Sequence, residues 1–180
     1  GIRVKINVVA LKGINDSEIE DFVHLALENT LDVRFIEFMP IGEKNVWQER
    51  NYWPIEQVQG SAEQFTLLRP VSDRKKDSGP AKMYELPGGK GRLGFISPLS
   101  NHFCHQCNRL RITSDGHLRT CLFSDKEYRL RSALRSSKLG LPAVLKIIRR
   151  ANELKPLGYH LLAEHKKEMV CQKSMSAIGG

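Results

Sequence analysis

The sequence predicts an α/β protein in which a parallel βαβ unit precedes a region of short antiparallel strands. An apolar, β-branched segment at residues 3–11 is typical of a buried parallel strand. A helical apolar period over Asp16–Glu28 and a second apolar strand at Val33–Phe38 follow it. Between residues 81 and 121, short segments alternate with Gly-rich or Asp-Gly turns, which favours antiparallel pairing.

The composition indicates an ordinary globular protein. Of 180 residues, 41% are hydrophobic and 27% are charged, and no stretch approaches the roughly 18 apolar residues that a membrane-spanning helix needs. We therefore expect no membrane association. The 28 Lys and Arg residues outnumber the 20 Asp and Glu residues, which gives a net charge of +8 and favours an anionic partner. Four cysteines are too few for a disulfide scaffold, so we expect a reducing, cytoplasmic location.

The βαβ unit locates the first candidate site. Apolar residues recur at helical spacing between Asp16 and Glu28, so the helix should cross over in the right-handed sense between two parallel strands. Ligands of parallel sheets bind beyond the carboxyl ends of the strands. The turn Met39–Gly42, which follows the second strand, is therefore where a ligand is expected.

The remaining elements are predicted in chain order from their periods and turn residues. Residues 72–80 carry charges and turn formers, which indicate an exposed linker. The predicted elements are a helix at 54–64, strands at 65–69, 81–86, 92–97, 108–113 and 117–121, and helices at 128–136 and 142–154.

Three cysteines form the strongest chemical pattern in the chain. Cys104 and Cys107 form a CxxC loop, and an Asp-Gly hairpin brings Cys121 back towards them. This spacing leaves three interpretations open: a zinc site, a [4Fe-4S] cluster with one iron in an open position, or thiols without a metal. The zinc interpretation needs a fourth ligand, for which the candidates are His102, His105, His117 and Cys171.

Basic and polar residues accompany the cysteines and the first two strands. Arg109 and Arg111 alternate along one strand and so share a face, where their guanidinium groups suit phosphate or carbonyl oxygens. Lys5 and Asn7 share a face of the first strand, and Arg34 has a similar place in the second. Such side chains do not suit a packed core, so the sequence predicts a polar cavity there.

With these residues identified, the chain resembles the C-terminal half of the GTP 3′,8-cyclases, the molybdenum cofactor biosynthesis protein A family of the radical S-adenosylmethionine superfamily. The resemblance covers nearly the whole chain, and its most specific part runs from Phe103 to Phe123. It rests on residues 4–9, 32–40, 103–113, 121–123 and 178–180. It favours the iron-sulfur interpretation over zinc.

The resemblance implies the end of an incomplete (βα)₆ barrel over residues 1–50 and a C-terminal region with a second [4Fe-4S] cluster over residues 51–180. The chain is then expected to be a fragment that begins at about the fifth barrel strand. The CxxxCxxC motif that binds the cluster cleaving S-adenosylmethionine does not occur in this sequence. We therefore expect no cyclase activity from the isolated chain.

The resemblance also implies roles for individual residues. The second cluster would be held by Cys104, Cys107 and Cys121, and its open iron would bind the guanine base of GTP. The residues expected to contact GTP are Lys5, Arg34, Arg109 and Arg111. Asn7 and Met39 would contact S-adenosylmethionine. The tail Gly179–Gly180 would reach into the site, where it would act in catalysis together with Arg109 and Arg111.

The implied reaction is abstraction of the ribose 3′ hydrogen of GTP by a 5′-deoxyadenosyl radical, followed by attack on C8, to give (8S)-3′,8-cyclo-7,8-dihydroguanosine 5′-triphosphate. The implied partners are GTP, S-adenosylmethionine, a second copy in a homodimer and the pyranopterin monophosphate synthase of the same pathway. Nucleic acid is not expected as a partner. The alternative from a different class is a zinc-ribbon-like module that binds nucleic acid through the excess positive charge.

Overall fold

The computed structural model describes residues 2–42, 47–72, 79–164, 171, 173 and 175–178. The chain divides into two compact units. The first comprises Gly1–Met39 and Gln48–Phe103, and the second comprises Pro40–Trp47 and Cys104–Gly180. Within the described ranges, no helix is both long enough and apolar enough to cross a membrane.

The first unit is built on a five-stranded mixed sheet. Its elements are β1 (Val4–Ala10), α1 (Ile19–Glu28), β2 (Leu31–Glu37), α2 (Ile55–Ala62), β3 (Arg69–Pro70), β4 (Lys82–Glu85) and β5 (Arg92–Ile96). The strands lie in the order β1-β2-β5-β4-β3. β1, β2 and β5 are parallel, whereas β4 and β3 continue the sheet antiparallel. The βαβ unit and the mixed α/β class predicted from the sequence are therefore confirmed.

Alternation along the strands gives the sheet one apolar face and one polar face. Val33 and Phe35 of β2 and Leu93 and Phe95 of β5 are buried in a single cluster. Val23 of α1 lies in the same cluster, as do residues of α2, so both helices cover this face. In each strand, the residues that alternate with these buried ones point to the opposite face, because successive side chains of a strand alternate.

Glu37 organises the carboxyl end of β2. Its side chain is fully buried and accepts hydrogen bonds from the backbone N–H groups of Ile55 (3.1 Å), Leu99 (2.7 Å) and Ser100 (3.0 Å). The first of these bonds satisfies an N–H group at the start of α2, which no helical carbonyl can reach. The other two fix the turn that follows β5. One carboxylate thus holds two connections at the same end of the sheet.

Over its described residues, the second unit carries a three-stranded antiparallel sheet and three α-helices. Its elements are β6 (Arg111–Ile112), β7 (His117–Arg119), β8 (Tyr128–Arg129), α3 (Leu130–Arg135), α4 (Gly140–Glu153) and α5 (Gly158–Glu164). The hairpin between β6 and β7 closes at Gly116, whose φ of +83° favours glycine. Gly116 N–H donates to the carbonyl of Thr113 over 2.9 Å. The predicted Asp-Gly hairpin is confirmed.

Several predicted elements are shorter than expected or lie elsewhere. The strand predicted at 65–69 is wrong over residues 65–68, because the chain turns after α2 with Phe65 N–H bonded to the Ala62 carbonyl at 3.1 Å. The strand predicted at 108–113 is reduced to Arg111–Ile112. The helix predicted at 128–136 begins at Leu130, because Tyr128 pairs with β7. α5 was not predicted at all.

The pairing of the strands also differs from expectation in one respect. β5 was expected to pair antiparallel, but it pairs so only with β4 and lies parallel to β2. The sheet therefore continues past residue 50, which is where the sequence placed the end of the first region. That boundary stays a prediction. Of the predicted linker 72–80, residues 73–78 lie outside the described residues.

Candidate functional site

The cysteines of the CxxC loop and of the hairpin lie in the second unit. Cys104 begins a short 3-10 turn, Cys104–Gln106, and Cys107 N–H donates to the Cys104 carbonyl at 3.2 Å. Cys121 lies two residues beyond the end of β7. All three thiols are free and half-buried. The turn and the hairpin therefore position three unpaired thiols in one unit.

The three thiols interact electrostatically. Burial raises the pKa of the Cys121 thiol, and negative charge on Cys104 and Cys107 raises it further. Burial also raises the pKa of Cys107, but hydrogen bonding by the Arg109 backbone and the positive charge of Lys155 outweigh burial, so the pKa lies below its usual value. The Cys107 thiol thus ionises more easily than the Cys121 thiol. A thiolate is the form of cysteine that binds metals.

Lys155 contacts the CxxC loop from the end of α4. Its Nζ donates to the carbonyl of Cys107 at 2.7 Å and to the carbonyl of Arg109 at 2.9 Å, and it lies 3.6 Å from Cys107 Sγ. This residue was not among those predicted from the sequence. A lysine after a helix ordinarily neutralises the helix C-terminus, so its position alone gives no signal of a loop contact.

Gly158 allows α5 to approach Cys121 closely. A Cβ atom at this position would lie 3.0 Å from Cys121 Sγ and 2.8 Å from Cδ2 of Phe123. Both distances are too short for an undisturbed side chain. The start of α5 therefore packs directly against the third cysteine, which explains a glycine at the first residue of a helix.

The two arginines of the predicted site lie beside the cysteines. Burial lowers the pKa of Arg111, as do the positive charges of Arg109 and Arg119, whereas Cys107 and Cys121 raise it. Arg111 is half-buried in β6, and Arg109 is exposed in the segment before it. The structure thus brings two of the three predicted cysteines, Cys107 and Cys121, close to Arg111, with Arg109 beside them.

The four residues considered as a fourth zinc ligand lie in different surroundings. His105 is exposed, and its ring lies 5.8 Å from that of Tyr159. Nδ1 of His117 lies 3.0 Å from a carboxylate oxygen of Asp115. Cys171 is fully buried, and Arg119 Nη2 donates to its Sγ at 3.2 Å. His102 is an exposed residue of the first unit.

No three His, Cys, Asp or Glu side chains in the described part of the chain are grouped so as to hold a metal ion. The donor chemistry nevertheless fits an iron-sulfur cluster, which proteins hold through cysteine thiolates. Three free thiols, two of which raise the pKa of the third and one of which has a lowered pKa, provide such donors. The ligand set Cys104, Cys107 and Cys121 stays a prediction.

The strand residues of the predicted site lie in the first unit. In the sheet register, Asn7 of β1 is paired with Arg34 of β2, and Lys5 is paired with Asp32. Lys5 and Asn7 are exposed, and Arg34 and Met39 are partly buried. Lys5, Asn7 and Arg34 therefore share the polar face of the sheet, whereas Met39 follows the end of β2. The burial predicted for the first strand is wrong, because most residues of β1 are exposed. The roles of the four residues stay predictions. Gly179 and Gly180 lie outside the described residues.

Asp32 was not predicted from the sequence to have a role, although its carboxylate organises the polar face. It is fully buried and accepts hydrogen bonds from Arg3 Nε at 2.8 Å and from Arg92 Nε at 3.0 Å, with Arg34 Nη2 at 3.9 Å. An acidic residue at the start of an apolar strand was the signal that could have found it, since a buried charge needs a partner.

Comparison with known proteins agrees with the resemblance. Residues 31–161 match the family model described as Molybdenum Cofactor Synthesis C. A GTP 3′,8-cyclase of Alkaliphilus metalliredigens is 45% identical over 177 residues, which are 98% of this chain and 52% of that protein. The GTP 3′,8-cyclases of Alkaliphilus oremlandii and Thermodesulfovibrio yellowstonii are 43% and 44% identical, with 98% of this chain and 52% of each relative covered. The chain thus spans about half the length of the curated relatives it matches, and it belongs to the Molybdenum Cofactor Synthesis C family.

Proposed function

We propose that this chain is a region of a GTP 3′,8-cyclase, a radical S-adenosylmethionine enzyme that converts GTP to its 3′,8-cyclised product in molybdenum cofactor biosynthesis. The match of residues 31–161 to the family and the names of the relatives support this proposal. Because the chain spans half the length of those relatives, the complete reaction belongs to a longer protein that contains this region.

Within that enzyme, Cys104, Cys107 and Cys121 hold a [4Fe-4S] cluster. The observation that carries this assignment is that three free, half-buried thiols lie in one unit, placed by a short turn and a hairpin, with Arg109 and Arg111 near them. Three thiolates leave one iron of such a cluster in an open position, which supplies a site for a nitrogen or oxygen atom of a substrate. The protein's own contribution is to place the thiolates and to lower the pKa of Cys107.

Arg109 and Arg111 bind the anionic and carbonyl oxygens of GTP in this proposal. Guanidinium groups present paired N–H donors that match such oxygens, and the partial burial of Arg111 reduces competition from water. Lys5 and Arg34 are proposed to contact GTP, and Asn7 and Met39 to contact S-adenosylmethionine. Their support is the polar strand face in the first unit. A catalytic role of Gly179–Gly180 rests on the resemblance alone.

The parallel strands support the barrel assignment. β1, β2 and β5 are parallel neighbours, and α1 forms the crossover between β1 and β2. Repetition of such units closes a barrel. We therefore assign β1 and β2, which lie within residues 1–50, to the end of an incomplete (βα)₆ barrel. The homodimer and the pathway partner pyranopterin monophosphate synthase stay predictions.

Metal analysis after anaerobic reconstitution tests the cluster site. We expect the purified chain to bind about four irons and to become brown. Cys104→Ser, Cys107→Ser and Cys121→Ser should each abolish iron binding. Cys171→Ser is the matched control, because it changes the fourth cysteine but keeps an acceptor for Arg119, and it should bind iron like the unmodified chain. One tightly bound zinc ion per chain, released by Cys171→Ser, would instead establish the zinc-ribbon alternative.

A further inference from the structure

We propose that Lys155 is a positioning residue of the cysteine site, which holds the backbone of the Cys104–Arg109 loop in the conformation that binds the cluster. This inference rests on the proposed cluster site and adds to it a residue outside the cysteine and arginine motifs. The ammonium group of lysine has three N–H donors. Its three neighbours here, the Cys107 carbonyl, the Arg109 carbonyl and Cys107 Sγ, all belong to this loop.

The loop needs an external partner because it lacks regular structure of its own. Residues 107–110 form neither helix nor strand, and β6 has only two residues. Nζ of Lys155 binds two carbonyls that are two residues apart, so both must point to the same side. This constraint fixes the backbone of Asn108 between them. It also fixes the backbone of Arg109, from which the guanidinium group extends.

Lys155 is itself held firmly. Its backbone N–H donates to the Asn152 carbonyl at 3.2 Å, which continues the last turn of α4, and Pro156 follows it. Proline restricts the conformation of the preceding residue. The side chain therefore starts from a fixed backbone. Its acceptors lie 46 and 48 residues away in sequence, so its contacts are not those of an ordinary helix-capping lysine.

The same segment contacts the other parts of the cysteine pattern. Gly158 packs against Cys121 Sγ, and the Tyr159 ring lies 5.8 Å from the His105 ring. Residues 155–159 therefore contact both the CxxC loop and the hairpin cysteine. The Lys155 contacts set the position of Cys107 relative to this segment, and hence relative to Cys121.

Two substitutions distinguish the effect of the Lys155 hydrogen bonds from the effects of its side-chain size and charge. Lys155→Met keeps the length of the side chain and removes its donors, whereas Lys155→Arg keeps charge and donors in a different geometry. Lys146→Met is the matched control, because Lys146 is exposed on α4. Hydrogen-deuterium exchange of the metal-free chain is the first measurement. We expect several-fold faster exchange of the amides of residues 104–111 in Lys155→Met, with β2 and β5 unchanged and Lys146→Met like the unmodified chain.

Iron retention is the second measurement. After reconstitution and challenge with a chelator, Lys155→Met should lose iron about 10- to 100-fold faster than the unmodified chain, the range typical when a partner of a metal ligand is removed. Lys155→Arg should fall between the two. Equal exchange and equal iron retention in Lys155→Met and Lys146→Met would overturn the positioning role. Failure of the unmodified chain to bind iron would instead overturn the proposed function, while the exchange measurement would still decide what Lys155 does.

Discussion

Arg119 and Cys171 are both fully buried, and Arg119 Nη2 donates a hydrogen bond to Cys171 Sγ at 3.2 Å. The guanidinium also lies 3.4 Å from Asp125 and 3.6 Å from Glu127. The backbone of Cys171 accepts a hydrogen bond from Gly42 N–H at 3.0 Å. Because Arg119 ends β7 two residues before Cys121, this contact joins residue 171 to the strand that leads to the third cysteine.

Loss of the Arg119 charge should strongly destabilise the second unit. Arg119→Leu removes the buried partner of Asp125 and Glu127, but Asp125 is partly exposed and Glu127 keeps Lys173 as a partner at 2.7 Å. We therefore expect a loss of about 3 kcal/mol, at the lower end for a broken buried ion pair. Urea unfolding of the metal-free chain measures this loss. Arg149→Leu, on the exposed face of α4, is the control and should change the free energy of unfolding by less than about 0.5 kcal/mol. A similar small change for Arg119→Leu would contradict the assigned role.

The sequence predicted best those elements whose pattern is local. The helix predicted at 142–154 is α4 at Gly140–Glu153, and the βαβ unit is present with shifts of one or two residues at the strand ends. Pairing over long distances was less predictable. Four of the five residues of β5 are buried, and its sequence alone does not indicate that β2 is its parallel neighbour and β4 its antiparallel one.

Asp32 should account for much of the stability of the polar sheet face. Asp32→Asn keeps the shape of the side chain but leaves Arg3, Arg92 and Arg34 without a negative partner. We expect a loss of about 3 kcal/mol at neutral pH, at the lower end for a buried pair because the arginines are partly exposed. Chemical unfolding measures this value. Asp21→Asn, exposed on α1, is the control and should have little effect.

The effect of Asp32 should also depend on pH with a defined sign. Burial raises the pKa of Asp32, but hydrogen bonds from Arg92 and Arg3 outweigh burial and hold it below the ordinary value of 3.8. A carboxyl group with a lowered pKa stabilises the folded state above its unfolded pKa and loses this effect as pH falls through its folded pKa. The stability difference between the unmodified chain and Asp32→Asn should therefore be constant above about pH 5 and shrink below pH 4. A difference that grows on acidification would show that the sign is wrong.

Gly158→Ala should disturb the cysteine site directly. The added Cβ would lie 2.8 Å from Phe123 and 3.0 Å from Cys121 Sγ, so one of these neighbours must move. We expect a loss of about 1 to 3 kcal/mol and reduced iron binding after reconstitution. Gly60→Ala is the control, because a Cβ there meets nothing within 4 Å and alanine favours the helix α2. It should be neutral or stabilising, with normal iron binding.

The sequence predicted residues of the site only where those residues belong to a motif. Cys107, Cys121 and Arg111 follow from spacing and charge, and the structure places them near one another. Lys155 and Gly158 were missed, since they follow the motif by about 50 residues and are common residue types near helix ends. Their roles arise from three-dimensional contacts, a carbonyl pair in one case and close packing in the other.

The isolated chain should not form the cyclised product. Its cysteines do not include a CxxxCxxC motif, so it lacks the ligands of the cluster that cleaves S-adenosylmethionine in the proposed enzyme family. Incubation of the reconstituted chain with GTP, S-adenosylmethionine and a reductant, followed by chromatography of the nucleotides, tests this expectation. A full-length relative such as the Alkaliphilus metalliredigens protein serves as the positive control. Product formed by the 180-residue chain would contradict both the fragment interpretation and the assigned roles.

GTP should bind weakly to the reconstituted chain, because the chain spans only half the length of its relatives. Arg111 is half-buried beside the positive charges of Arg109 and Arg119, so an anion there would relieve their repulsion. Hydrogen bonds to charged groups contribute about 1.5 to 3 kcal/mol each. Arg109→Ala and Arg111→Ala should therefore weaken GTP binding by roughly tenfold or more, as measured by calorimetry, while Arg149→Ala should not.

Replacement of either arginine by lysine tests whether the arginines recognise GTP specifically or attract anions in general. Lysine at position 109 or 111 restores the charge but not the paired donors of a guanidinium group, so we expect it to recover little of the lost affinity. ATP carries the same phosphates as GTP but a different base, so it should bind more weakly if the base contacts the cluster. Full rescue by lysine, or equal affinity for ATP and GTP, would mean that the arginines attract polyanions in general. The specific role of the cysteine site in recognising guanine would then lose its support.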